Sequence, residues 1–227
     1  VGALAPGAEI VLARCTAAGR AYGSGAGLVV ALQRASCAVR AGERIVITGP
    51  SGSGKSTLLH LLAGLETPSE GVVDWPALGP RDRLRPLAVA TILQGPSLLP
   101  PLDVLENVAL PLMLGGMPED RALAAARAAL AAQGLEGLAG RLPEELSGGQ
   151  AQRVAVARVL AGAPRLVLAD EPTGQLDHVT GSRMLDVLDE AVARLGAALV
   201  LTTHDRRVAG RFDTAWTMAD GVLLGAA

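Results

Sequence analysis

Gly49-Pro50-Ser51-Gly52-Ser53-Gly54-Lys55-Ser56 is the stretch on which the reading of the fold turns. It fits the pattern G-x-x-x-x-G-K-S/T and lies where that pattern does its chemistry, between a buried strand and a helix. Arg44–Thr48 reads as the strand, and from Lys55 onward Leu58, Leu59, Leu61, Leu62 and Leu65 repeat at helical spacing. Glycines in such a turn permit positive backbone angles. Successive N–H groups then point inward and join the helix N-terminus in holding an anion. Lys55 is placed to reach the β- and γ-phosphates of a nucleotide and Ser56 to ligate Mg²⁺, with Thr57 completing the cradle.

Outward from this loop the chain alternates. Toward the N-terminus, Glu9–Thr16 reads as a strand, Tyr22–Gly27 as a Gly/Ser-rich turn, and Leu28–Leu32 and Ser36–Arg40 as two further strands. Beyond the first helix come strands at Gly71–Trp75 and Leu87–Leu93, separated by a turn-rich segment in which Arg81, Arg83 and Arg85 read as a solvated face. Asp103–Leu114 and Pro118–Gln133 carry helical periodicity, the second dense in alanine. A helix over Gln150–Ala161, a strand at Leu166–Ala169, a helix over Val179–Leu195, a strand at Ala197–Thr202 and a strand pair around Asp213–Leu224 follow. Strands and helices on both sides of a helical block predict one α/β domain over residues 1–227. Its core covers about 1–94 and 162–227, with an α-helical subdomain inserted over about 95–161.

Composition narrows the class. Half of the 227 residues are hydrophobic, and Gly and Pro punctuate the chain regularly, which excludes a disordered polypeptide. A formal net charge of -2 lacks the electrostatic footprint of a dedicated nucleic-acid binder. Cys15 and Cys37 have no metal-ligand spacing and read as buried thiols of a reducing compartment. No apolar run approaches the roughly 20 residues that span a bilayer, and Val1–Ile10 carry no signal-peptide pattern. The chain is therefore expected in the cytoplasm, reaching a membrane only through a partner. Among 20 basic residues there is one lysine, Lys55, in the phosphate-type loop.

Two further stretches carry chemistry. Arg165–Glu171 is an apolar strand ending in Asp170-Glu171, and ligands of parallel α/β sheets sit beyond the carboxyl ends of the strands. Asp170 can help hold Mg²⁺ and Glu171 can polarise an attacking water. Leu146-Ser147-Gly148-Gly149-Gln150 precedes a helix, and Ser147 with Gln150 satisfies a capping box. Capping does not call for two adjacent glycines, each of which lowers helix propensity by up to about 1 kcal/mol. The pair lets a ligand approach exposed N–H groups, so Ser147, Gly148 and Gly149 form a second anion site.

With Gly49–Ser56, Gln94, Leu146–Gln150, Asp170–Glu171, Asp177 and His204 in this order and spacing, the chain resembles the nucleotide-binding subunits of ABC transporters. The resemblance covers nearly the whole chain and implies a P-loop NTPase (RecA-like) core with an antiparallel β subdomain. It also implies two copies dimerising head to tail around ATP, each nucleotide lying between one copy's phosphate loop and the other's signature. Tyr22 stands where the family stacks an aromatic on adenine. Gln94 matches the loop sensing Mg²⁺, water and the permease, Asp177 the loop crossing the dimer, and His204 the switch residue near the γ-phosphate. By the same resemblance Gln94 is a metal ligand, and Lys55, Glu171, His204 and Gln94 form the catalytic set.

Finer features are similar to the branch of macrolide-exporter and lipoprotein-release ATPases: Tyr22-Gly23, Glu106-Asn107-Val108-Ala109-Leu110-Pro111 and Glu171-Pro172-Thr173-Gly174-Gln175-Leu176-Asp177. The chain departs from the pattern at Gln175, at Ile92-Leu93 before Gln94, and in a shortened segment between Gly71 and Gln94. These features imply an ATPase that drives an integral membrane permease from the inner face of the membrane, in export or lipoprotein extraction. The alternative is an ATPase regulating a membrane complex, such as one controlling a cell-wall hydrolase. Leu98, Leu99 and Leu102 serve equally as permease-facing or as core residues.

Overall fold

Ile45, Val46 and Ile47 occupy the centre of strand β3 (Arg44–Thr48), and their side chains divide between two apolar layers. Ile45 and Ile47 pack with Leu58, Leu59, Leu61 and Leu62 of helix α1 (Lys55–Leu62). Val46 faces the other way, toward Leu185, Leu188 and Val192 of helix α5 (His178–Leu195). The same split runs through β6 (Leu166–Asp170) and β7 (Ala198–Thr203): Leu166, Leu168 and Val200 go to the first layer, Val167, Ala169 and Leu199 to the second. Apolar burial on both faces is the signature of parallel strands covered by helices on each side. β3 is indeed parallel to β7 and to β8 (Thr214–Ala219), and β6 to β7 and to β5 (Val89–Ile92). The computed structural model describes residues 10–93, 98–174 and 176–225.

Among the described residues the sheet has nine strands, in the order β4-β1-β2-β9-β8-β3-β7-β6-β5. Its antiparallel side consists of β1 (Val11–Tyr22), β2 (Val29–Arg40) and β4 (Glu70–Asp74), joined to the parallel side through β9 (Val222–Leu224). Here the sequence expectation needs correcting. Val29–Arg40 form one strand after the Gly25–Gly27 turn, not two, and β1 runs six residues further than its alternation suggests. Register shifts around Ala18, with positive φ at Ala17 and Arg34, mark bulges that break period-two patterning without ending a strand. Cys15 and Cys37 lie directly opposite each other; Cys15 is buried, and a hydrogen bond with Cys37 together with burial pushes its thiol up.

Three helices build a separate apolar cluster. α2 (Val104–Leu114), α3 (Glu119–Ala131) and α4 (Gly148–Ala161) meet through Val104, Val108, Leu112, Ala126, Leu130 and Val154. A capping box of Asp103 and Glu106 starts α2, and the fully buried Asn107 knits Leu99, Leu102 and Asp103 to it through its side-chain amide. Leu98 is core, Leu102 half-buried and Leu99 exposed. No helix of the described residues is long and apolar enough to cross a membrane.

Arg81, Arg83 and Arg85, between β4 and β5, are exposed as the sequence suggests, and two of them also reach back to the end of α1. Arg81 Nε donates to Gly64 O at 2.9 Å, Arg85 Nη1 to Ala63 O at 2.9 Å, and Trp75 Nε1 to Leu62 O at 2.7 Å. These are carbonyls left without helical partners where α1 ends. Two cations thus sit at the negative end of the helix whose positive end meets the phosphate-type loop. The charges of this segment serve the loop through the helix between them.

Candidate nucleotide site

β3 delivers the chain to Gly49, and the loop folds back against β2 and β8. A Cβ on Gly49 would lie 2.2 Å from Met218 O, and one on Gly54, whose φ is 96°, would lie 2.3 Å from Ala31 O. Neither position has room for a side chain. Lys55 leaves the first turn of α1 and turns into the loop, 5% exposed, its Nζ donating to Gly49 O and Pro50 O at 3.0 Å each. Glu171 Oε1 stands 3.6 Å from the same nitrogen. A three-donor ammonium suits this arrangement of acceptors. Ser51, Gly52, Gly54, Ser56 and Thr57 line a cavity of about 380 Å³ in front of Lys55, and Glu171 forms part of its wall. Ser53 Oγ is buried in the loop with no protein partner.

The carboxylates come from the end of β6. Asp170 is buried and accepts a hydrogen bond of 2.5 Å from Thr202 Oγ1. Glu171 has φ of 43°, in the left-handed region that non-glycine residues enter at a cost of about 1–2 kcal/mol. Thr202 holds it there: Glu171 N donates to Thr202 O at 3.2 Å and to Thr202 Oγ1 at 3.0 Å. The neighbouring strand β7 then supplies His204, whose Nδ1 lies 3.0 Å from Glu171 Oε2. The structure thus brings Lys55, Glu171 and His204 together at the carboxyl ends of β3, β6 and β7. The role of Thr202 is not evident from sequence alone, although a pair of threonines closing an apolar strand just before His204 is a legible signal.

Ser147, Gly148 and Gly149 are at the start of α4, and the helix begins two residues earlier than its periodicity suggests, taking in both glycines. Ser147 N donates to Gln150 Oε1 at 2.9 Å and Gln150 N to Ser147 Oγ at 3.3 Å, so the capping box is present. These residues line a cavity of about 820 Å³ together with Arg153, Asp177 and Arg183. Gly148 has nothing within 4 Å of its missing Cβ, whereas Gly149 would meet Thr180 Cγ2 at 3.1 Å. One glycine is open and the other is packed. The cavity at the signature and the cavity at the phosphate-type loop have no lining residue in common.

The remaining candidates fall around these two regions. Asp177 caps α5, accepting from Val179 N at 3.0 Å and from Thr180 Oγ1 at 2.6 Å; hydrogen bonds from Thr180, side chain first, hold its carboxyl below the usual range. Tyr22 closes β1, 37% exposed, with the Arg20 guanidinium 4.6 Å over its ring. Gln94 and Gln175 lie outside the described residues. Arg207, which is exposed, and Arg211, which is half-buried, are held by hydrogen bonds. Arg207 bonds Asp205 and His178, and Arg211 bonds Asp186 and Asp189. Among the described residues there is no cluster of three or more His, Cys, Asp or Glu side chains able to hold a metal.

Comparison with known proteins places this geometry. Residues 32–174 match the ABC transporter family. The lipoprotein-releasing system ATP-binding protein LolD of Legionella pneumophila (strain Paris) is 43% identical over 211 residues, covering 90% of this chain and 93% of that protein. LolD of Pseudomonas fluorescens is 40% identical over 223 residues, 95% and 98% of the two chains. Among solved structures, the dimeric post-hydrolysis state of the ATP-binding cassette MJ0796 bound to ADP and Pi superposes with a TM-score of 0.84. It is 34% identical and covers 94% of this chain and 97% of that one. CbiO1 of Clostridium perfringens, part of the ABC transporter complex cbiONQ, gives a TM-score of 0.81 at 28% identity, with 96% and 88% covered. With a phosphate-type loop, a carboxylate pair and a histidine on a sheet shared with those cassettes, the chain belongs to the ABC transporter family, as one of its ATPase subunits.

Proposed function

We propose that the chain powers lipoprotein release, docked as a head-to-tail pair on the inner face of a membrane beneath an integral permease, with no role for nucleic acid. The names of its relatives support the cargo class, and the dimeric cassettes it resembles support the pairing. ATP lies between the phosphate loop of one copy and Ser147–Gln150 of the other, with adenine on Tyr22. The helical unit over residues 95–161 faces the permease, Leu99 being an exposed apolar residue next to the Gln94 segment.

Within the site, the N–H groups of 51–57 and Lys55 hold the phosphates. Ser56 and Asp170 offer only oxygen atoms, the hard donor type that Mg²⁺ takes, and Gln94 joins them. Bound Mg²⁺ would offset charge on the phosphate oxygens. Glu171 orients and deprotonates the attacking water, and His204 holds Glu171 through its second oxygen while facing the γ-phosphate. Asp177, on the loop between Glu171 and α5, meets the other copy.

The observation that carries this reading is the placement of Glu171 between Lys55 Nζ at 3.6 Å and His204 Nδ1 at 3.0 Å. Glu171→Gln keeps the shape and removes the base, so turnover should vanish while ATP binding persists and an ATP-dependent dimer accumulates on a sizing column. Parent-like hydrolysis by this variant would exclude Glu171 as the base. Purification from native membranes should bring down an integral membrane protein and its lipoprotein cargo. Recovery of a cell-wall hydrolase regulator in their place would assign the chain to the other class.

A further inference from the structure

Gln152 has no place in the scheme above, yet it is among the few buried polar side chains of the molecule, at 3% exposure. It lies on α4 just beyond the signature, in helical register with the buried Val156 and Val159. Its amide donates to Pro172 O at 3.0 Å. A carbonyl only accepts, so the amide must present its NH₂ group there. Pro172 directly follows Glu171, whose left-handed backbone is pinned from the other side by Thr202 and whose own carbonyl accepts from Gly174 N at 3.0 Å.

A second contact joins the same two regions. Gly149 leaves room for Thr180 Cγ2 at 3.1 Å from where its Cβ would be, and Thr180 Oγ1 donates to Asp177 at 2.6 Å. The N-terminal part of α4 therefore meets both Pro172, which follows Glu171, and Thr180, in the first turn of α5. These contacts are direct, so a shift of α4 has no solvent layer to absorb it.

We infer that Gln152 is a positioning residue for ATP hydrolysis. It ties the helix that carries Ser147–Gly149 to the backbone of Glu171, so that engaging nucleotide at the signature sets the base in the same chain. The inference rests on the head-to-tail reading, in which the signature of one chain serves one nucleotide and Glu171 of that chain serves the other. Gln152–Pro172 is then a buried link between the two ATP sites of the dimer.

The test compares Gln152→Met, of similar length but without a donor, and Gln152→Glu, of the same shape with an acceptor in place of the donor. Both should lower kcat about tenfold, the scale of one lost buried hydrogen bond, and bring the Hill coefficient for ATP from above one toward one. The dissociation constant for a fluorescent ATP analogue on the monomer should stay within about twofold, since α4 does not touch the phosphate loop. In the Glu171→Gln background, Gln152→Met should still dimerise with ATP at the same midpoint. If dimerisation falls in step with kcat, Gln152 merely shapes α4 and the inference is overturned. Unchanged kcat and Hill coefficient in whichever variant folds would overturn it as well. Failure of Glu171→Gln alone to dimerise would remove the head-to-tail reading, and the inference with it.

Discussion

In the phosphate loop, a methyl group on Gly54 would lie 2.3 Å from a backbone oxygen of β2; at the signature, one on Gly148 would meet nothing within 4 Å. Both regions present backbone N–H groups at the start of a helix, and both are rich in glycine and serine. The phosphate loop is locked between two strands, with its lysine held by its own carbonyls. The signature is a capped helix end facing a wide cavity, with Gly148 open to it and Gly149 packed close to Thr180. Half of the proposed composite site is thus built before a nucleotide arrives. The other half is built to be approached.

That contrast is open to attack at three points. The largest effect is expected at Lys55. Lys55→Ala should cut turnover by roughly two to three orders of magnitude, the usual scale for one electrostatic stabiliser, with nucleotide binding weakened in parallel. Lys55→Arg should not restore it, because a forked guanidinium does not fit between Gly49 O and Pro50 O as a compact ammonium does. Full steady-state activity in the arginine variant would show the loop to be softer than its contacts imply.

Next comes Gly54→Ala. With φ of 96° and a backbone oxygen in the way, the loop must move, at a cost of about 2–3 kcal/mol in denaturant unfolding. A change under about 0.5 kcal/mol would contradict the locked description. The smallest effect on stability belongs to Gly148→Ala. Alanine is the better helix former, so the variant should be as stable as the parent or up to about 1 kcal/mol more so. Its ATPase activity should nevertheless drop under the head-to-tail arrangement, since the methyl group stands where the second copy's nucleotide docks. Stability and activity moving together would erase the distinction between the two regions.

The two regions also differ in how legible they were. The phosphate loop could be read from eight residues because its geometry is local: strand, turn and helix follow one another, and each names its own residue types. The carboxylate pair at the end of β6 was readable for the same reason. What escaped depended on distant chain. Thr202 pins Glu171 across thirty-one positions, and nothing in the pattern around Glu171 announces a left-handed residue that needs pinning. Arg81 and Arg85 are exposed as read, but their bonds to the carbonyls just beyond α1, seventeen or more residues away, leave no trace in the local pattern. Gln152 hid as an ordinary polar residue of a helix, although a polar side chain in register with the buried Val156 and Val159 is a signal in retrospect. Bulges in β1 and β2 defeated period-two counting for a different reason, since a one-residue register shift flips the pattern while the strand continues.

The single lysine has a practical corollary. Every side-chain amine chemistry applied to this polypeptide, whether acylation, reductive methylation, amine cross-linking or cleavage by a lysine-specific protease, has one side-chain target. That target is 5% exposed at the floor of the phosphate loop. The protein therefore carries a built-in footprinting probe. The rate at which Lys55 becomes labelled measures how often the loop opens, and added nucleotide should slow it without any engineered reporter.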